Sequence, residues 1–118
     1  MKTMETAVYK VYRIEHQESG DGPYRHFPQE YEVLDVLELH LSNIRRWPGP
    51  KDDGLAGQVD YDELYGFKSI AQLEEWFDEG TLEVLYEHGF VLREYETDHI
   101  EYGRKQVLFN RRTAKCLT

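Results

Sequence analysis

Apolar and polar positions alternate near the start of the chain. In AVYKVYRIEH, residues 7–16, Val8, Tyr12 and Ile14 fall on one face of an extended segment, with Tyr9, Val11 and Arg13 on the other. β-branched and aromatic residues dominate, so this stretch predicts a strand with both faces partly covered. Residues 17–28, QESGDGPYRHFP, hold two Gly and two Pro among polar residues and predict a long surface turn. Behind Pro28 the period changes. Val33, Leu34, Leu37, Leu41 and Ile44 recur at helical spacing, with Gln29 and Glu30 opening the run and Arg45 and Arg46 closing it, as the helix dipole favours. Val33, Leu37, Leu39 and Leu41 also alternate, which makes a strand the competing reading; the helix is preferred.

Residues 47–62, WPGPKDDGLAGQVDYD, have no sustained period. A connection of that length inside a compact domain predicts a binding or mobile segment. ELYGF, residues 63–67, predicts a short strand. Ser69, Ile70, Ala71 and Gln72 spell a capping box, in which the Ser69 hydroxyl accepts from the Gln72 amide and the Gln72 side chain returns the bond. Ile70, Leu73, Trp76 and Phe77 supply the apolar face of the helix that follows. Asp78 or Thr81 can cap a second short helix carrying Leu82, Leu85 and Tyr86, stopped by Gly89. The tail predicts strands over residues 90–96 and 105–109, separated by a turn region at 98–103, and a short terminal strand in TAKCLT. Strands at both ends with helices between them predict one α+β domain over residues 1–118, a small, mostly antiparallel sheet with two to three helices.

At 118 residues the chain can bury about 65% of the surface it exposes when unfolded, enough for one core. An aromatic content of 14% excludes wholesale disorder. No stretch approaches the length of an apolar membrane span, and the first ten residues lack the apolar centre of a secretion signal. Cys116 is the one cysteine, so no internal disulfide forms and a reduced, cytosolic setting is expected. Charge adds more. Fourteen basic residues face twenty-three acidic ones, for a net −9. Between residues 52 and 101, fifteen acids meet only Lys68 and Arg93, whereas the chain from Arg104 onward has five basic residues and no acid. So acidic a protein is repelled by phosphates and anionic membranes, and neither direct DNA binding nor membrane contact is expected.

The chemistry-bearing residues form no known catalytic spacing. His16, His26, His40, His88 and His99 include no pair four apart and no nearby Cys, so no metal site and no cofactor is expected; surface or core positions suit them better. No nucleophile elbow, phosphate loop or dinucleotide fingerprint is present, and Gly20-Asp21-Gly22-Pro23 reads as a turn because proline lacks the amide a phosphate cradle needs. Glu74, Glu75, Asp78, Glu79, Glu83 and Glu87 run along the helix pair, mostly opposite the apolar positions. A solvated outer face is the plain explanation. The functional one is a ribbon of carboxylates that imitates a phosphate backbone and fills a partner's basic groove. The expected contact surface comprises Asp52, Asp53, Glu74, Glu75, Asp78, Glu79 and Glu83, with Trp47 and Tyr65 as aromatic anchors. Trp76 and Phe77 are expected in the core. The basic residues Arg104, Lys105, Arg111, Arg112 and Lys115 are expected to pair internally or meet an acidic protein.

The blocks VYRIEH, GxGPYRH, WPGPxDDG, YGFKSIAQLEEWF, LYEHGFVLREYE and YGRKQVLF, taken in this order over residues 8–109, resemble small proteins of phages and prophages. That resemblance implies an anti-defence role in the bacterial host cytoplasm. It points to a stoichiometric anti-CRISPR binder of a CRISPR surveillance complex more than to an enzyme. A second resemblance, carried by Arg13, Ser69 and the late QVLF segment, is to ADP-ribosyltransferase folds and implies Arg13 and Ser69 holding a dinucleotide. Gln106 stands where those enzymes place a glutamate, which argues against transfer activity and leaves a degenerate NAD-binding relic as the other form of this resemblance. A phage structural or assembly adaptor is the third class.

Overall fold

The computed structural model describes residues 8–24, 31–43, 45–55 and 62–118. The fold is α+β. Its elements run β1 (Tyr9–His16), α1 (Tyr31–Ser42), β2 (Glu63–Gly66), α2 (Ile70–Trp76), α3 (Glu79–Glu87), β3 (Phe90–Thr97), β4 (Ile100–Tyr102), β5 (Val107–Asn110), a 3-10 turn (Arg111–Thr113) and β6 (Ala114–Cys116). Instead of one sheet there are two, each of three antiparallel strands, ordered β1-β3-β6 and β2-β5-β4. They meet where Tyr12 and Phe67 exchange backbone bonds of 2.8 Å in both directions. Gly66 makes that junction possible. A Cβ there would lie 2.5 Å from a Val11 methyl and 2.9 Å from the Tyr12 carbonyl oxygen, so any side chain would push β2 off β1.

β1 separates two cores, as the double-sided pattern of its sequence predicts. Ile14 faces the cluster built with Val33, Leu37, Leu73, Leu85 and Phe90, and Val11 faces the cluster of Leu64, Tyr95, Ile100, Val107 and Phe109. β1 and β3 pair along their whole length, from Tyr9 opposite Thr97 to His16 opposite Phe90.

The helix pair forms much as its caps predict. Ser69 Oγ accepts from Gln72 N at 3.0 Å, and Asp78 Oδ1 accepts from Thr81 N at 2.8 Å. The return bond of the first cap comes one residue early, because Gln72 Oε1 accepts from Lys68 N at 2.9 Å. Gly89, at φ +88°, ends α3. α1 is shorter than its apolar pattern suggests. It stops at Ser42, leaving Arg45 and Arg46 beyond its end, and Leu34 is exposed. Its expected start at Pro28 and its last apolar position, Ile44, lie outside the described residues. Three residues of the expected 98–103 turn, Ile100 to Tyr102, are in fact β4, paired with β5. The span is too short for alternation to mark it as a strand.

Candidate functional site

The segment from Arg45 to Leu55 lies against the turn before β5, and Asp53 is the reason. Its side chain is 1% exposed, and its two carboxylate oxygens accept from Lys105 N at 2.9 and 3.0 Å and from Gln106 N at 3.0 Å. Arg104 N donates to the Asp53 carbonyl at 3.1 Å, and the Arg104 guanidinium reaches the Asp52 carbonyl. Lys105 Nζ donates to the carbonyls of Arg45 and Arg46 at 2.8 and 3.1 Å, and Gln106 Nε2 to that of Pro48 at 3.2 Å. The described half of the long 47–62 connection is therefore clamped. Asp53 is a buried pin and leaves the expected contact surface.

The clamp holds an aromatic cluster in place. Trp47 is half-buried, stacks on the His40 ring with centroids 4.1 Å apart at 15°, lies under the Arg46 guanidinium at 4.6 Å, and donates through Nε1 to the Trp76 carbonyl at 2.7 Å. Trp76 Nε1 donates to the Tyr24 hydroxyl at 2.9 Å, and that hydroxyl also bonds His40 Nδ1. Burial pushes His40 down to about 4, only partly offset by Asp78, so the ring is neutral at pH 7. Burial also raises the Tyr24 phenol. The tryptophans thus act chiefly as core and wall, and Trp47 is less free as an anchor than its loop position suggests.

Beside this cluster lies a cavity of about 300 Å³. Its walls include Trp47, Pro48, Phe67, Trp76 and Phe77, and Arg13, Tyr65 and Gln106 supply polar groups. Arg13 is 8% exposed; its Nη1 donates to the Tyr65 carbonyl at 2.7 Å and its Nη2 to that of Gly20 at 3.2 Å. Nε lies 3.3 Å from Glu15 Oε1, an ion pair without hydrogen-bond alignment. Burial lowers the pKa of Arg13, and Glu15 opposes that shift. Glu15 Oε1 also accepts from the Tyr95 hydroxyl at 2.6 Å. Of the residues implied by the transferase resemblance, Arg13 and Gln106 share this cavity. Ser69 is absent from its lining and is committed to capping α2. Nothing in the spacing of residues 13, 24, 40, 47, 65, 76 and 106 marks this cavity, because seven separate segments build it.

The other acidic candidates form an exposed set. Glu74 and Glu75 on α2, Asp78 between the helices, Glu79 and Glu83 on α3, and Asp52 are all exposed. Among the described residues, no basic side chain lies within 4 Å of any of the six carboxylates. They are not equivalent. The Asp78 carboxyl is held below its usual range by the backbone bond from Thr81, with smaller help from Arg46 and His40. Glu75 borders a cleft shared with Arg46 and Lys105. Glu74, Glu79 and Glu83 have neither attachment. At the basic end, Arg112 Nε pairs with Asp62 at 2.7 Å and Arg111 donates to the Gly20 carbonyl at 3.1 Å. Together with Arg104 and Lys105, four of the five basic residues bind within the chain, more to carbonyls than to acids.

Among the described residues no group of His, Cys, Asp and Glu could hold a metal ion, and no helix is long and apolar enough to cross a membrane. The architecture and surface define a small, acidic α+β protein with its helical carboxylates outward. Over residues 1–118 it matches the family model described as Bacteriophage T4 Y00F protein, and the chain belongs to that phage family. No curated protein and no solved structure gives a significant match.

Proposed function

We propose that this phage protein is an anti-defence factor that works by stoichiometric binding. Its exposed acidic helices occupy a basic groove in which a host ribonucleoprotein, a CRISPR surveillance complex, otherwise holds nucleic acid. The observation that supports this reading is the set Glu74, Glu75, Asp78, Glu79 and Glu83, outward on two capped helices with no ion-pair partner among the described residues. Lysines and arginines that hold phosphates gain the same Coulomb attraction from carboxylates at similar spacing. The caps fix the two helices, so little conformational entropy is lost when the face docks.

Affinity capture with tagged protein from bacterial lysate expressing CRISPR surveillance complexes tests the reading. The expected result is retention of a complex that is lost when target DNA is added first. Retention that ignores DNA contradicts occupancy of the nucleic-acid groove. Recovery of capsid components or of the protein itself contradicts the anti-defence role and favours an assembly adaptor.

A further inference from the structure

The 300 Å³ cavity is separate from the acidic face and has the size of a small-molecule site. Its walls are mostly apolar and aromatic, which suits a flat ring. Two polar side chains in its lining have unused capacity. Of the five N–H bonds of the Arg13 guanidinium, two go to carbonyls and one faces Glu15, which leaves two donors. Gln106 is 6% exposed and spends Nε2 on Pro48, while Oε1 accepts from no group among the described residues. β2 lies between the two. Tyr12, next to Arg13, bridges to Phe67, and Gly66 pairs with Val107, next to Gln106. Their backbones are therefore about two strand spacings, roughly 10 Å, apart. A donor at one end and an acceptor at the other call for a ligand with the reverse arrangement.

Charge narrows the class further. Glu15 neutralises Arg13, Glu63 also lines the cavity, and the chain carries −9 overall. An anionic ligand meets repulsion and, among the described lining residues, no cation beyond the paired Arg13 to offset it. We propose that this cavity binds a neutral nucleoside, with a base carbonyl accepting from Arg13 and a sugar hydroxyl donating to Gln106 Oε1, the base packed against the aromatic walls. The aromatic surface takes any base, and the two polar ends demand an acceptor on the base and a hydroxyl on the sugar.

The test is a titration of the ¹⁵N-labelled full chain, followed by chemical shifts, with uridine, guanosine, uridine 5′-monophosphate, oligo-uridine and indole. Uridine and guanosine are expected to saturate with shifts concentrated at the Trp47 and Trp76 indole N–H and the Gln106 amide, with Tyr102 unmoved. The monophosphate is expected to bind more weakly than uridine. Gln106→Met is expected to lower uridine affinity about tenfold. Since Gln106 also holds Pro48, the ligand series on the unaltered protein decides the matter independently of that variant. Equal shifts with indole would reduce the site to an apolar hole and overturn the polar assignment. Tighter binding of oligo-uridine would overturn the assignment to a free nucleoside. No shift with either nucleoside up to about 10 mM, weaker than any useful affinity, would overturn the site itself.

Discussion

Asp53 and His40 show how much of this protein rests on single buried polar groups. Asp53 receives two backbone amides on a carboxylate shut off from solvent, and its backbone takes a third bond from Arg104. Removing the carboxylate leaves those amides unpaired, so Asp53→Ala is expected to cost about 3 kcal/mol. Urea unfolding checks this, and a loss below about 0.5 kcal/mol would mean that the 45–55 segment is not pinned by Asp53. His40 predicts a pH dependence. Its folded value of about 4 lies below the ordinary 6.5, so between those values the unfolded chain binds a proton that the folded one refuses. Stability therefore falls as pH drops from 6.5 towards 4, by about 2 kcal/mol for this ring after allowing for screening by solvent and by Arg46 and Asp78. His40→Gln is expected to flatten that part of the stability profile relative to the unaltered protein. Parallel profiles would contradict a neutral buried His40.

At the scale of elements, the caps carry the most transferable information. Ser69→Ala is expected to destabilise the fold by about 1 kcal/mol through α2 alone, measured by thermal unfolding with the helical signal as probe. A full-strength fold without Ser69 would show that packing of Leu73 and Trp76 holds α2 unaided. The helix pair, β1 and β3 were legible because capping residues and alternation are local signals that neighbours in sequence can reveal. Elements defined by partners far along the chain were not. β4 has three residues and exists because β5 pairs with it, and the junction between the two sheets depends on Gly66 admitting Val11. The acidic candidates on α2 and α3 were legible as an outer face for the same local reason. Asp53 was misplaced because an aspartate in a Gly-Pro segment has the same sequence whether it faces solvent or accepts from a turn 52 residues away. The cavity was illegible as well; only tertiary packing joins Arg13, His40 and Gln106.

Across the whole molecule, charge is sorted by use. Arg104, Lys105, Arg111 and Arg112 are spent on holding segments together, and the helical carboxylates stay outward and unpaired among the described residues. The basic end therefore offers little to nucleic acid, and salt-sensitive binding of single strands in a filter assay is not expected. The acidic face carries the central claim, and its residues differ as test positions. Asp78 also caps α3 and Glu75 sits near Arg46 and Lys105, so changing either disturbs structure as well as charge. Glu74→Lys, Glu79→Lys and Glu83→Lys reverse charge where no cap or cleft is involved. The most direct measurement is calorimetric titration of a purified CRISPR surveillance complex with the unaltered protein and with this triple variant, after circular dichroism has shown that both are folded. The account predicts a small integer stoichiometry for the unaltered protein, affinity that weakens with added salt, and a loss of about 100-fold or more in the variant. Equal affinity of the two proteins would contradict it.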